Sequence, residues 1–326
     1  MTFSTGVCNL LGMARKLRVE YAGAIYHVMN RGDRREPIFL DNQDRELFTS
    51  TLGETCLKTA WEVHAYCWMA NHFHLVIETP LANLVAGMKW FLGTYTGRFN
   101  RRHKLFGHLF SGRYKALIVD GSGTGYLRTV CEYVHLNPVR AKLLGPEKEL
   151  QVYAWSSFPA YLLPPGKRPP WLRVDRVFGE MGIRNDTKAG REHFRQQMEQ
   201  RRRSEAADNY GKIRRGWCLG EEDFRKELLE GMGARMGAEH YGEERHESAT
   251  QRAESVLAEE LRKRRLSRAE LAALPKGHRA KVEMAHRLQA ETTVPVGWIA
   301  EHLEMGTRSY AYRLLYLDRK KRSRRR

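Results

Sequence analysis

The chain has 326 residues, room for two domains of ordinary size with cores of their own. Lys and Arg number 56 against 38 Asp and Glu, for a formal charge of +18, and this surplus recurs along the chain. It favours a polyanionic partner, nucleic acid, bound in a salt-dependent way, and makes a membrane surface a poor candidate. No apolar run reaches the roughly twenty residues of a membrane-spanning helix, and the apolar start lacks a signal-peptide layout. The five cysteines (Cys8, Cys56, Cys67, Cys131 and Cys218) are scattered without a Cys-x-x-Cys pair. That pattern argues for reduced thiols in the cytoplasm and against a zinc finger.

In chain order, residues 1–12 differ in character from the basic region that begins at Met13, and read as a flexible extension. Ala24 to Asn30 alternates like a strand and is followed by the basic turn Arg31-Gly32-Asp33-Arg34-Arg35. Asp41 or Asn42 can cap a helix running to about Lys58. Glu62–Trp68 and His72–Glu78 read as an antiparallel pair around Met69-Ala70-Asn71. A helix from Asn83 to about Asn100, a strand from Tyr114 to Val119 and one continuous helix from Gly125 to about Arg140 come next. This order predicts an α+β domain, a ferredoxin-like antiparallel sheet with covering helices.

Two places in this frame carry chemistry. In Asn71-His72-Phe73-His74-Leu75, alternation along a strand projects His72 and His74 to one side with Phe73 behind, so the two imidazoles can chelate one divalent metal. Some sixty residues on, Tyr133 and Asn137 stand four apart, one helical turn from each other. The Asn137 carbonyl is a hard ligand suited to Mg²⁺ or Mn²⁺, and the Tyr133 phenol can attack a metal-polarised phosphate. Taken singly, a polar strand face, a core tyrosine and a helix-ending asparagine before Pro138 would account for each residue; the joint pattern favours the site.

The blocks AIYHVMNRGDRREPIF (24–39), HAYCWMANHFHLVIETP (64–80), GHLFSGRYKALIVD (107–120), YLRTVCEYVHLNPVRAKLL (126–144) and YAWSSFPAYL (153–162) cover roughly the first half of the chain. In kind, order and spacing they resemble the REP-associated tyrosine transposases, of the HUH single-tyrosine transposase superfamily. Ala70 departs from the pattern, since relatives usually carry proline there. The resemblance implies metal-dependent cleavage and rejoining of single-stranded or hairpin DNA: Tyr133 as nucleophile, His72, His74 and Asn137 around Mg²⁺ or Mn²⁺, and a 5′-phosphotyrosine intermediate with a free 3′-OH. Two other readings stand beside it. One is a different HUH endonuclease, a replication initiator or relaxase; the other is a non-catalytic nucleic-acid-binding regulator, which would have no use for that quartet. The tyrosine's proton acceptor stays open between Glu132, His135 and water. Arg31, Arg34, Arg35, Arg113, Lys115 and Arg140 are candidate phosphate contacts, and Trp90 and Tyr114 candidate base-stacking rings.

Pro164-Pro165-Gly166-Lys167-Arg168-Pro169-Pro170 breaks regular structure, which closes a catalytic domain at 13–180. Residues 181–250 read as a charged linker with helices, the stretch from Arg191 to Lys212 as a solvated helix and hinge. Residues 251–317 read as a helix-turn-helix DNA-binding domain. In it Ile299, Leu303, Ala311 and Leu314 make the shared core, Gly306 permits the turn, and Arg308, Tyr312 and Arg313 face DNA. A disordered basic tail, 318–326, completes the division. The whole reads as a cytoplasmic, nucleoid-associated bacterial protein, with monomer or homodimer undecided.

Overall fold

The computed structural model describes residues 19–204, 210, 211, 213, 216–235 and 243–323. The extension at 1–12 and the last residues of the tail lie outside them. Strand β1 (Ala24–Arg31) leads to α1 (Asn42–Thr59), the hairpin of β2 (Glu62–Met69) and β3 (His72–Thr79), α2 (Leu84–His103), β4 (Lys115–Val119) and α3 (Tyr126–His135). The sheet order is β2-β3-β1-β4, all antiparallel, the βαββαβ arrangement of a ferredoxin-like fold. A short β5 (Cys218–Leu219), which periodicity does not reveal, adds to β4 in parallel.

Local chemistry explains the element ends. Asp41 caps α1, its carboxylate accepting from the Asp44 N–H at 3.0 Å, and Ala60 ends the helix in the left-handed region. The β2–β3 turn is only Ala70-Asn71, and the Asn71 side chain donates to the Arg35 carbonyl at 3.0 Å, tying it to the basic loop.

The two faces of the sheet do different work. On one side Phe73 packs with Phe48 of α1 and Phe91 of α2, and Phe48 lies 4.8 Å, ring centre to ring centre, from Trp68. Gly87 lets α2 approach this layer: a methyl group there would sit 2.1 Å from the Trp61 ring. Trp61 is itself held by its N–H to Asn83 Oδ1 at 2.7 Å. Gly87→Ala is therefore expected to destabilise the chain by about 1–3 kcal/mol despite alanine's better helix propensity, read as a lower urea midpoint at unchanged slope. α3 covers the other face, lying against β2, β3 and β4.

Two segments depart from expectation. The helix expected to run from Gly125 to Arg140 breaks at Leu136 (φ −87°, ψ 1°), and Asn137–Arg140 form a separate turn, α4. Pro138 has no N–H to donate back to the Val134 carbonyl, so the hydrogen-bond ladder of α3 cannot run through it. The stretch from Arg191 is not a solvated helix: α7 (Lys188–Arg203; α5 is Phe158–Tyr161 and α6 Asp175–Glu180) buries Phe194 and Met198 in the first core. Those two side chains, four apart, form a narrow apolar stripe among charges. Trp217, Phe224 and Leu228, the last two on α8 (Glu222–Arg235), also pack on that core.

A second core gathers α9 (Glu243–Arg264), α10 (Arg268–Ala273), α11 (Arg279–Glu291), α12 (Val296–His302) and α13 (Arg308–Ser323). Ile299, Ala300, Leu303, Ala311 and Leu315 are buried in it, Leu314 only partly. Gly306 takes φ +83° in the turn between α12 and α13. The buried Lys281 ammonium donates to the carbonyls of Leu274 (2.9 Å) and Glu304 (3.1 Å), fixing two turns at once. Asp318–Ser323 continue α13 as helix, so this part of the expected disordered tail is ordered backbone. No helix among the described residues is long and apolar enough to cross a membrane.

Candidate active site

The β1–β3 register pairs Met29 with His74 and Arg31 with His72, which puts both histidines on the face under α3. Tyr133, on α3, reaches down to that face. Its ring centre is 5.7 Å from that of His74 and 5.7 Å from that of His27, edge-on to both. His72 and His74 are 5.2 Å apart, ring centre to ring centre. The fold thus gathers His72, His74 and Tyr133 from elements sixty residues apart.

His27 does not stand out in the sequence, yet its Nε2 lies 2.9 Å from His74 Nδ1. Alternation held the signal: in Ile25-Tyr26-His27-Val28-Met29 the polar residue falls on the face opposite Val28.

The imidazoles are held neutral. Burial, then the charge of Arg31, pushes His72 down to about 4. Burial, then Arg140, brings His27 down to about 4. Burial followed by the neighbouring histidines and arginines holds His74 well below the usual range. Neutral imidazole is the form that binds a metal. His72 Nδ1 lies 2.8 Å from Asn71 Oδ1 and His74 Nδ1 faces His27; among the described residues neither Nε2 has a hydrogen-bond partner.

Asn137, the third expected donor, stands at the start of α4, one turn beyond Tyr133. Its Nδ2 donates to the Tyr133 carbonyl at 3.1 Å, and the Arg140 guanidinium donates to the same oxygen. Anchoring the NH₂ end leaves Oδ1 as the end available to a cation. Two neutral imidazoles and one amide oxygen fit a divalent ion, but they carry no negative charge. Among the described residues no group of three or more His, Cys, Asp or Glu side chains is placed to hold a metal. A cation here would draw its charge balance from a bound phosphate.

Tyr133 is only 7% exposed. The Arg140 guanidinium lies 4.0 Å over its ring and the Tyr210 ring 5.2 Å away, so Arg140 faces the nucleophile candidate and not an outer surface. Neither candidate proton acceptor reaches the Tyr133 hydroxyl. Glu132 is engaged by Arg128 (2.7 Å) and Arg201 (3.2 Å). His135 Nε2 lies 2.7 Å from Ser157 Oγ inside an aromatic cluster of Phe158, Tyr161 and Phe194.

The remaining basic candidates fall in two places. Arg31, Arg34, Arg35, Arg113 and Lys115 are exposed at the end of the sheet that carries His72. Backbone bonds from Asp33 N–H to the Leu109 carbonyl (2.9 Å) and from Ser111 N–H to the Arg31 carbonyl (2.8 Å) join their two loops. Arg34 and Arg35 both take positive φ (49° and 66°), a strained conformation for side-chain-bearing residues. Arg308, Tyr312 and Arg313 are exposed on α13, in the second core's unit. The two expected stacking rings are committed elsewhere: Tyr114 is buried in the first core, and the Lys58 ammonium lies 4.9 Å over the half-buried Trp90. Lys58 also donates to the Gln289 and Ala290 carbonyls at the end of α11.

Residues 20–137 match the family model described as Transposase IS200 like. The matched span contains His27, His72, His74 and Tyr133, and Asn137 is its last residue. No curated protein matches the chain. One solved structure, described as "Structure of the REP associates tyrosine transposase bound to a REP hairpin", is similar at 15% identity, covering 45% of this chain and 84% of that one, with a TM-score of 0.39. So loose an overlap carries no weight for substrate or mechanism.

Proposed function

We propose, from the match of residues 20–137 to the IS200-like transposase family model and from the geometry of the site, that the chain cleaves and rejoins single-stranded or hairpin DNA with Tyr133 as nucleophile. The observation that carries this reading is the Tyr133 phenol packed against His27 and His74, with Asn137 anchored on its own backbone carbonyl. In the forward step the Tyr133 oxygen bonds to phosphorus and the bond from phosphorus to the 3′ oxygen breaks. The phenolic proton is lost to solvent, and the leaving oxygen takes one up as a free 3′-OH, while the 5′ phosphate stays on the tyrosine. The phosphodiester's energy is retained in that link, so another 3′-OH can reverse the step and join a new strand without ATP.

His72, His74 and the Asn137 amide oxygen would hold the Mg²⁺ or Mn²⁺, which supplies polarisation of the phosphate oxygens. α3 fixes the phenol in position for in-line attack, and Arg140 offers positive charge beside the reacting phosphate. The basic rim of Arg31, Arg34, Arg35, Arg113 and Lys115 would lead the backbone of an unpaired strand toward His72. The reading is tested by incubating the purified chain with Mn²⁺ and a labelled single-stranded hairpin oligonucleotide. A denaturation-resistant protein–DNA adduct is expected, and its absence across hairpins of varied sequence overturns the proposal.

The exposed Arg308, Tyr312 and Arg313 support a second, separate contact between α13 and DNA. Replacing Arg308 and Arg313 together by alanine is expected to lower the slope of log affinity against log salt by roughly 1.4 on a single strand, from two lost phosphate contacts. An unchanged slope in a fluorescence-anisotropy titration would remove α13 from the DNA interface.

A further inference from the structure

The nitrogens of His27 and His74 that face each other are 2.9 Å apart, the ring planes are within 17° of parallel and the ring centres are 5.1 Å apart. Centres so far apart with nitrogens so close require both nitrogens to lie nearly on the line between the centres, so the rings meet edge to edge in an N–H···N hydrogen bond and not face to face. One hydrogen lies between the two nitrogens, and there are two ways to place it. If His27 donates, the hydrogen of neutral His74 sits on Nε2 and closes its outer nitrogen. If His74 donates from Nδ1, its Nε2 keeps a lone pair facing outward.

The neighbouring histidine shows which arrangement the strand is built for. His72 Nδ1 faces Asn71 Oδ1 at 2.8 Å, and an amide oxygen only accepts. His72 therefore carries its hydrogen on Nδ1 and presents Nε2. We infer that His27 does for His74 what Asn71 does for His72: it accepts the Nδ1 hydrogen, fixes ring and tautomer, and so presents Nε2 to a divalent cation. This makes His27 a positioning residue, and the inference rests on reading His72 and His74 as metal ligands. Partners of this kind typically change metal affinity by about 10–100-fold. The placement is economical: β1 is one of the two strands hydrogen-bonded to β3, and His27, paired with Val76, stands two residues along from Met29, the partner of His74, on the same face. Its ring also lies edge-on to Tyr133.

Two measurements on the full chain test this. In the metal-free wild type, ¹⁵N signals of the imidazole rings, with the His74 resonance identified by its loss in His74→Gln, are expected to report hydrogen on Nδ1. Binding of Mn²⁺ alone, followed by the loss of the free-ion EPR signal, is expected to weaken about 10–100-fold in His27→Leu. His27→Gln, whose amide oxygen restores an acceptor, should recover most of that loss, which a merely space-filling role would not predict. A His74 hydrogen found on Nε2, or a His27→Leu protein that binds Mn²⁺ as tightly as wild type while His72→Ala does not, overturns the inference and leaves the metal reading standing. Wild type binding Mn²⁺ no better than His72→Ala overturns the metal reading, and the inference with it. The ring signals distinguish the two failures, because they report the hydrogen bond without metal.

Discussion

Tyr133→Phe is expected to abolish the covalent protein–DNA adduct, lowering cleavage by at least about 10³-fold, while oligonucleotide affinity stays close to wild type. Only one oxygen is removed, and phosphate contacts made elsewhere dominate affinity. The ring contacts with His27, His74 and Arg140 survive, so the variant should fold as wild type does. Adduct formation on a denaturing gel and anisotropy with the same labelled hairpin give the two readouts. A persisting adduct would move the nucleophile elsewhere. Tyr126 is the next tyrosine on the helix, but its hydroxyl donates to Glu221 at 3.0 Å, and that bond pushes its acidity down, the wrong direction for a nucleophile.

His72→Ala and His74→Ala are expected to remove metal-dependent cleavage, each lowering apparent Mn²⁺ affinity by about 100-fold or more, since two imidazoles on one strand make the chelate. Asn137→Ala should cost less, because water can replace one neutral oxygen. Cleavage rates measured across a Mn²⁺ titration separate the three variants. Activity that persists in excess EDTA, or that neither histidine change reduces, would exclude a metal from the chemistry. His74 is buried and its loss leaves a space, whereas His72 is half-buried. His72→Ala is accordingly the cleaner of the two, and thermal melts should accompany both.

Period-two alternation made the four long strands legible, because a half-buried strand writes its faces directly into the residue order. The same alternation placed His72 beside His74. Local signals also located α1, through Asp41 or Asn42 as its cap. The features that stayed hidden depended on pairing across the chain. His27 acquires its meaning only from the register of β1 against β3, which no local pattern specifies. β5 has two residues, too few to show any period, and it exists because β4 offers an edge. α7 hides its core contact in Phe194 and Met198, two apolar residues set among charges that dominate any average over the helix. The break at Leu136 was signalled by Pro138, but a boundary there changes the setting of Asn137: the amide is aimed by its bond to the Tyr133 carbonyl and not by a continuous helical face.

The short reach of β5 has a consequence for how this protein behaves at high concentration. An uncovered sheet edge is a template on which other chains can polymerise. On β4 only the end at Ile118–Val119 is covered by β5, and Lys115 stands exposed at the other end, next to the exposed Arg113. Across the sheet, bridges from Val63 to Leu172 and from Cys67 to Ser156 shield β2. Among the described residues no strand pairs with the Lys115–Leu117 stretch of this edge, so the exposed Lys115 ammonium is placed to keep neighbouring molecules from zipping onto the sheet.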